Sequence, residues 1–198
     1  MRFKPELLCP AGDFERLKTA IRYGADAVYL GADRFGMRSA SPNFSLDELA
    51  RATEYAHARG VSVHLTVNTL PRGGEIDELP SFLQSAAHCG VDALIIADLG
   101  VLALAHRLLP RMELHASTQT GIVNHLTANA LYEMGVRRVV LARELTMEEI
   151  RIIRQNTPSD LMLETFIHGA MCMSVSGRCV ISDYLTGRDA NRGECSQP

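Results

Sequence analysis

The side chains best equipped for chemistry crowd toward the end of the chain. They lie in Glu164-Thr-Phe-Ile-His168-Gly-Ala-Met-Cys172, then Ser176-Gly-Arg178-Cys179, then Gly187-Arg188-Asp-Ala-Asn191-Arg192-Gly-Glu-Cys195. Three of the five cysteines (Cys9, Cys89, Cys172, Cys179, Cys195) fall in the last 27 residues. Structural zinc usually takes pairs of cysteines two to four residues apart, and the spacing Cys-x6-Cys-x15-Cys fits that poorly. Three thiolates on Gly- and Ser-bearing backbone suit an iron–sulfur cluster better; three free thiols are the alternative. Arg178, Arg188 and Arg192 lie close by in sequence, where they offset thiolate charge or bind carboxylates through bidentate guanidinium bonds.

Other polar residues stand where short apolar runs end: Asn68, Asp98, Ser117-Thr118-Gln119, Arg143 and His168. In a (β/α) barrel those positions form the mouth at the C-terminal ends of the strands, where substrates bind. Each also has a plainer use as a helix cap or a loop hydrogen-bonder. Within the strand runs, His64, His115 and Glu164 are polar groups in apolar surroundings and need partners. The two histidines read as hydrogen-bonded layer residues or outward-facing ones rather than metal ligands. For the carboxylate of Glu164, Arg143 on the neighbouring strand is the expected counter-charge.

These residues are carried by an alternation of strand and helix runs. Expected strands are Glu6–Leu8, Ala27–Leu30, Ser62–Val67, Ala93–Ala97, Glu113–Ala116, Arg138–Leu141 and Leu161–Ile167. Expected helices are Phe14–Tyr23, Leu46–Ala58, Ile76–His88, Val101–Leu109, Leu126–Glu133 and Met147–Gln155. Ser45 with Glu48, and Thr146 with Glu149, read as capping boxes. Gly24, Gly60, Gly90 and Gly135 stand where helices stop. Gly24-Ala-Asp-Ala-Val-Tyr-Leu-Gly, Gly90-Val-Asp-Ala-Leu-Ile-Ile-Ala and Gly135-Val-Arg-Arg-Val-Val-Leu-Ala are copies of one helix-to-strand unit. Their uneven spacing excludes a solenoid. No Gly-x-Gly-x-x-Gly follows the first strand, which argues against a dinucleotide-binding open sheet. The expected fold is therefore an α/β, TIM-barrel-like (β/α)8 architecture truncated to about seven strands. Residues 1–169 form the incomplete barrel and 170–198 the cysteine-bearing segment. An unclosed barrel exposes an edge through which copies of the chain can associate.

Hydrophobic residues make up 46% of the 198 residues, charged residues 22%, and the net charge is -3. That is globular composition with no global bias toward nucleic acid. No apolar run reaches the roughly 18 residues of a membrane helix. The opening Met1–Glu6 is followed by no apolar leader core, so a cytoplasmic location is expected.

Taken together, these segments resemble the collagenase-like peptidase family, a group of peptidases of unassigned mechanism. The resemblance rests on Glu6-Leu-Leu-Cys-Pro-Ala-Gly, Ala27-Val-Tyr-Leu-Gly, Val67-Asn-Thr-Leu70, Glu113-Leu-His-Ala-Ser-Thr-Gln119 and Leu141-Ala-Arg-Glu-Leu145, and most specifically on Glu164–Cys179 and Gly187–Gln197. It implies oxygen-independent hydroxylation of a tRNA wobble uridine or an rRNA cytidine, with prephenate as oxygen source. A further branch hydroxylates ubiquinone precursors and holds a [4Fe-4S] cluster on four cysteines; the resemblance implies such a cluster here, with Cys172, Cys179 and Cys195 matching three of those ligands and the fourth lying beyond Pro198 in the family. RNA is the implied partner. Two other readings stand beside it. One is a peptidase, for which the chain offers neither His-Glu-x-x-His nor Gly-x-Ser-x-Gly. The other is an inactive structural fragment.

Overall fold

The computed structural model describes residues 4–37, 43–169, 172, 174–175 and 179–196. Seven strands form one sheet in chain order, every neighbouring pair parallel. They are β1 (Leu8–Pro10), β2 (Ala27–Gly31), β3 (Ser62–Val67), β4 (Ala93–Ile96), β5 (Glu113–Ala116), β6 (Arg138–Val140) and β7 (Met162–Glu164). The helices between them are α1 (Phe14–Arg22), α2 (Leu46–His57), α3 (Glu75–His88), α4 (Leu99–Leu108), α5 (His125–Glu133) and α6 (Met147–Gln155). A short α7 (Ile181–Thr186) follows β7.

The helix ends obey the sequence. Ser45 and Thr146 each form a complete capping box with Glu48 and Glu149. Gly24, Gly60, Gly90 and Gly135 all adopt positive φ. At Gly135 a side chain is doubly excluded, because a Cβ there would stand 2.6 Å from the His106 ring. The repeated unit also has a structural meaning. The residue two past each of three glycines makes the same backbone bond to the preceding strand: Asp26 N–H to Leu7, Asp92 N–H to Val63 and Arg137 N–H to Leu114. The two aspartates then accept a second bond from that strand, from Leu7 N–H at 2.9 Å and Val63 N–H at 2.7 Å. Each helix-to-strand turn is thus pinned at the N-terminal face of the sheet.

Three strands end within one residue of expectation, and two depart by more. β1 is Leu8–Pro10 rather than Glu6–Leu8. Leu7 C=O and Ala11 N–H bond to the β2 side, so the alternating geometry of a parallel strand turns Pro10 N toward the unpaired side. A proline therefore costs no ladder bond there. β7 ends at Glu164 rather than Ile167, because its partner β6 is itself only three residues long.

Side chains of alternate strand residues share a face. Val28, Leu30, Val63, Leu65, Leu94, Ile96, Leu114, Ala116 and Val139 pack in one apolar cluster with Leu17, Leu49, Leu83, Leu102, Leu131 and Ile153 of the helices. The opposite face carries Tyr29, His64, Thr66, Ile95, His115, Arg138 and Glu164, in mutual register across the strands. This face is concave. Strands sit about 4.8 Å apart, so a flat sheet would separate β1 from β6 by roughly 24 Å. Yet Arg138 Nη1 on β6 reaches Glu6 Oε1, just before β1, at 2.5 Å. Only a sheet curled into a part-barrel allows that bond. Among the described residues β1 and β7 do not pair, so the barrel is open between them.

The apolar layer between sheet and helices should dominate stability. Leu114→Ala, at a fully enclosed position, is expected to lose roughly 2–5 kcal/mol. Leu126→Ala, at a position 70% exposed, should stay within about 0.5 kcal/mol. Urea unfolding of both variants measures the contrast; equal losses would mean that the buried layer is not the source of stability.

Candidate functional site

The concave face holds a polar cluster that most barrels fill with branched aliphatic side chains. Arg138, almost wholly buried, bonds Glu6 through both Nη atoms, at 2.5 and 3.3 Å, and Glu164 Oε2 at 3.4 Å. The bidentate bond holds the Glu6 carboxyl below its ordinary range. Burial pushes Glu164 the other way, only partly offset by the same arginine. The counter-charge of Glu164 is therefore Arg138 and not Arg143 as the sequence suggested. Strand register explains the correction: Arg138 is paired with Met162, two residues before Glu164 on the same face.

His64 and His115 face each other in the same lumen, rings edge to face with centroids 4.7 Å apart. His115 Nε2 lies 2.7 Å from Glu113 Oε1. Both rings are enclosed, and burial drives both imidazoles toward the neutral form, His64 to about 4. They are inward layer residues, one of the two placements the sequence left open.

The C-terminal mouth is built from the loops after the strands. Asn68, after β3, accepts Met37 N–H on Oδ1 at 3.1 Å. Gln119, after β5, lies with its amide against Met37 Sδ. The loop after β2 thus crosses the mouth and ties the two amides together. Phe35 in that loop holds φ +60 with its ring packed on Phe82 at 4.9 Å. A left-handed aromatic residue is strained backbone of the sort that collects at functional sites. Asp98 is a helix cap, accepting Val101 N–H at 2.9 Å. Arg143 is half-buried with its guanidinium over the Phe166 ring, 4.1 Å from the centroid. His168 is exposed, and residues 165–169 are not helical.

The cysteine segment returns across this mouth. Arg72, in the loop after β3, pairs with Asp189 at 3.0 Å. Arg192 holds Glu75, the first residue of α3, through both Nη atoms; that bond lowers the Glu75 carboxyl to about 2. Arg192 is therefore committed to a carboxylate of its own chain, while Arg188 is exposed. Cys179 Sγ accepts Ile181 N–H at 3.4 Å, and Cys195 Sγ takes the Ser182 hydroxyl at 3.8 Å. Both thiols thus lie at the first turn of α7. Cys172 is exposed, with Ser174 Oγ 3.6 Å from its Sγ. Arg178 lies outside the described residues. The donor set is chemically right for an iron–sulfur cluster: soft thiols on irregular backbone with N–H and O–H donors at sulfur. Among the described residues, no three His, Cys, Asp or Glu side chains are gathered closely enough to hold a metal ion.

Residues 12–198 match the description of peptidase family U32. The chain belongs to this family. It is 42% identical over 194 residues to a tRNA hydroxylation protein P1 of Bacillus subtilis, covering 98% of this chain and 46% of that protein. It is 44% identical over 192 residues to a 23S rRNA 5-hydroxycytidine C2501 synthase of Escherichia coli, covering 97% of this chain and 28% of that protein. The chain thus spans less than half the length of these relatives. A solved U32 peptidase superposes with a TM-score of 0.67 at 18% identity, over 83% of this chain and 71% of that one, which supports the TIM-barrel-like fold. Among the described residues no helix of this U32 chain is long and apolar enough to cross a membrane.

Sequence reasoning missed Glu6, Arg138 and Met37. Arginine in a strand reads as a surface residue, and Glu6 meets Arg138 only through the curl of the whole sheet. The lumen sets a pH dependence. A histidine whose pKa falls on folding leaves stability untouched above its ordinary value and subtracts from it as pH falls below that value. For His64 that window runs from 6.5 down to about 4 and amounts to about 3 kcal/mol in all. Glu6 and Glu113, both lowered, lose stability in the same direction below the ordinary carboxylate range. Glu164, raised, opposes them. His64→Phe should flatten the decline in urea-unfolding free energy between pH 6.5 and 4; a variant whose profile runs parallel to the parent would refute the assignment.

Proposed function

We propose that this chain carries the barrel and part of the cluster site of an oxygen-independent RNA hydroxylase, acting on a tRNA uridine or an rRNA cytidine with prephenate as oxygen source. The observation that carries the reading is the folding of the cysteine segment over the C-terminal mouth, latched to the loop after β3 by Arg72–Asp189 and Arg192–Glu75. It brings thiols to the face where barrels bind substrate. The names of the RNA-hydroxylating relatives support it.

In this reading Cys172, Cys179 and Cys195 hold a [4Fe-4S] cluster together with a fourth ligand. Such a cluster supplies redox-active iron beside the mouth. The chain's own residues do the rest. Arg143, stacked on Phe166 at the rim, orients a prephenate carboxylate through its guanidinium edge. Arg188, and Arg178 by sequence position, add positive charge for the phosphate backbone. Asn68 and Gln119, tied through Met37, fix the rim after β3 and β5 and present amides to a pyrimidine edge. Glu164, whose carboxyl burial shifts upward while Arg138 holds it, stands on the lumen side as a proton acceptor.

The peptidase reading finds less support. A cysteine nucleophile needs a base within hydrogen-bond reach, and among the described residues the sulfurs of Cys179 and Cys195 meet a backbone amide and a serine hydroxyl.

The test is nucleoside mass spectrometry of RNA from cells lacking their own RNA hydroxylation proteins and expressing this chain joined to the C-terminal portion of such a relative. Hydroxylated uridine or cytidine should appear with the parent sequence, vanish with Cys179→Ser and fall at least about tenfold with Arg143→Gln, the scale of one charged contact. Modification that survives Cys179→Ser, or no modification while the purified protein cleaves gelatin, would return the chain to the peptidases.

A further inference from the structure

A continuous hydrogen-bonded path runs from the rigid loop after β3 to the backbone of Cys179. Arg72 contributes twice. Its backbone N–H donates to Glu75 Oε2 at 2.8 Å, and its side chain pairs with Asp189 Oδ2 at 3.0 Å. Glu75 in turn accepts both Nη atoms of Arg192. Asp189 uses its other oxygen to accept Asn191 N–H at 2.9 Å, and Asn191 Nδ2 donates to the carbonyl of Cys179 at 3.3 Å. On the far side of α7, Ser182 joins Cys195 Sγ to the backbone of Ser196. Apolar burial contributes little to this order: Ala190 is the sole buried apolar residue of the described positions 179–196.

We infer that Glu75 and Asp189 are positioning residues: they anchor the cysteine segment on the mouth and set where the thiol of Cys179 stands, with or without a bound cluster. Neither carboxylate touches a thiol. They act through Arg192, Arg72 and Asn191. The significance of this anchoring for catalysis rests on the cluster reading above; the anchoring itself does not.

Alkylation of Cys179 in the metal-free full chain tests it, followed by mass spectrometry of the peptide that contains the residue. Glu75→Gln, Arg192→Gln and Asp189→Asn should each speed labelling of Cys179 about three- to tenfold, the scale of one half-exposed bidentate pair. The double variant Glu75→Gln/Arg192→Gln should label no faster than Arg192→Gln alone, since that change already removes the Glu75 contact. Leu114-layer stability, read as the urea midpoint, should stay at the parent value in every variant. Unchanged Cys179 labelling in Glu75→Gln, or additive effects in the double variant, would overturn the proposal. Anaerobic iron and sulfide loading then separates the two readings. Faster labelling in the variants, with no cluster formed by the parent even when a small thiol is supplied as fourth ligand, keeps the anchor and removes the cluster.

Discussion

The buried guanidinium of Arg138 is the interaction on which the geometry of this barrel turns. Seven strands curl round a lumen without β1 and β7 pairing among the described residues, so backbone hydrogen bonds do not close the ring. Arg138 spans the opening instead, from β6 to Glu6 beside β1 and to Glu164 at the end of β7. A buried cation is tolerable only when partnered, and loss of one partner from such a set typically costs about 3–5 kcal/mol. The arginine therefore demands two carboxylates, and the polar layer extends from there to His115, Glu113 and His64. Burial in turn keeps the histidines neutral, which avoids stacking further positive charge beside Arg138.

Sheet and helices divide the labour. The outward face of the sheet makes the apolar layer, and the N-terminal face is fastened by the repeated aspartate contacts. That frame leaves the other end of the strands to loops, where side chains can serve binding without holding the fold together. Asp98 shows the limit of the division. It stands at the mouth, yet its carboxylate is occupied capping α4, worth about 1 kcal/mol. Asn68 and Gln119 differ, because what they hold is another loop rather than a helix.

Local rules made much of this readable from the sequence. Apolar runs, capping boxes, glycine stops and the repeated helix-to-strand unit act over a few residues, so together they located six helices and the order of seven strands. Strand ends were less legible. The extent of β7 depends on how long β6 is, and β1 tolerates Pro10 only because one side of it is unpaired; neither condition is local. The site was legible in its parts, since the mouth residues follow strand ends by rule. Its connections were not. Glu6 to Arg138 spans 132 residues, Glu75 to Arg192 spans 117 and Met37 to Gln119 spans 82. Such pairings are consequences of curvature and carry no signature in sequence spacing.

The contrast in what holds each part bears on chemistry. The barrel is ordered by a large buried layer, which salt and small ligands scarcely perturb. The cysteine segment is ordered chiefly by ion pairs and hydrogen bonds to the mouth, with Ile181, Tyr184 and Leu185 of α7 exposed. Segments held this way open at lower free energy than the core, and screening weakens their exposed charge pairs. In the cluster reading proposed above, that property lets the thiols close round an inorganic group after the chain has folded, because thiols locked in a packed core could not admit it. The same looseness in the barrel would scatter Arg143, Asn68 and Gln119. Rigid rim and weakly held strap are thus two requirements of one site, and the sequence meets them by placing leucine and valine in the first and arginine, aspartate and glycine in the second.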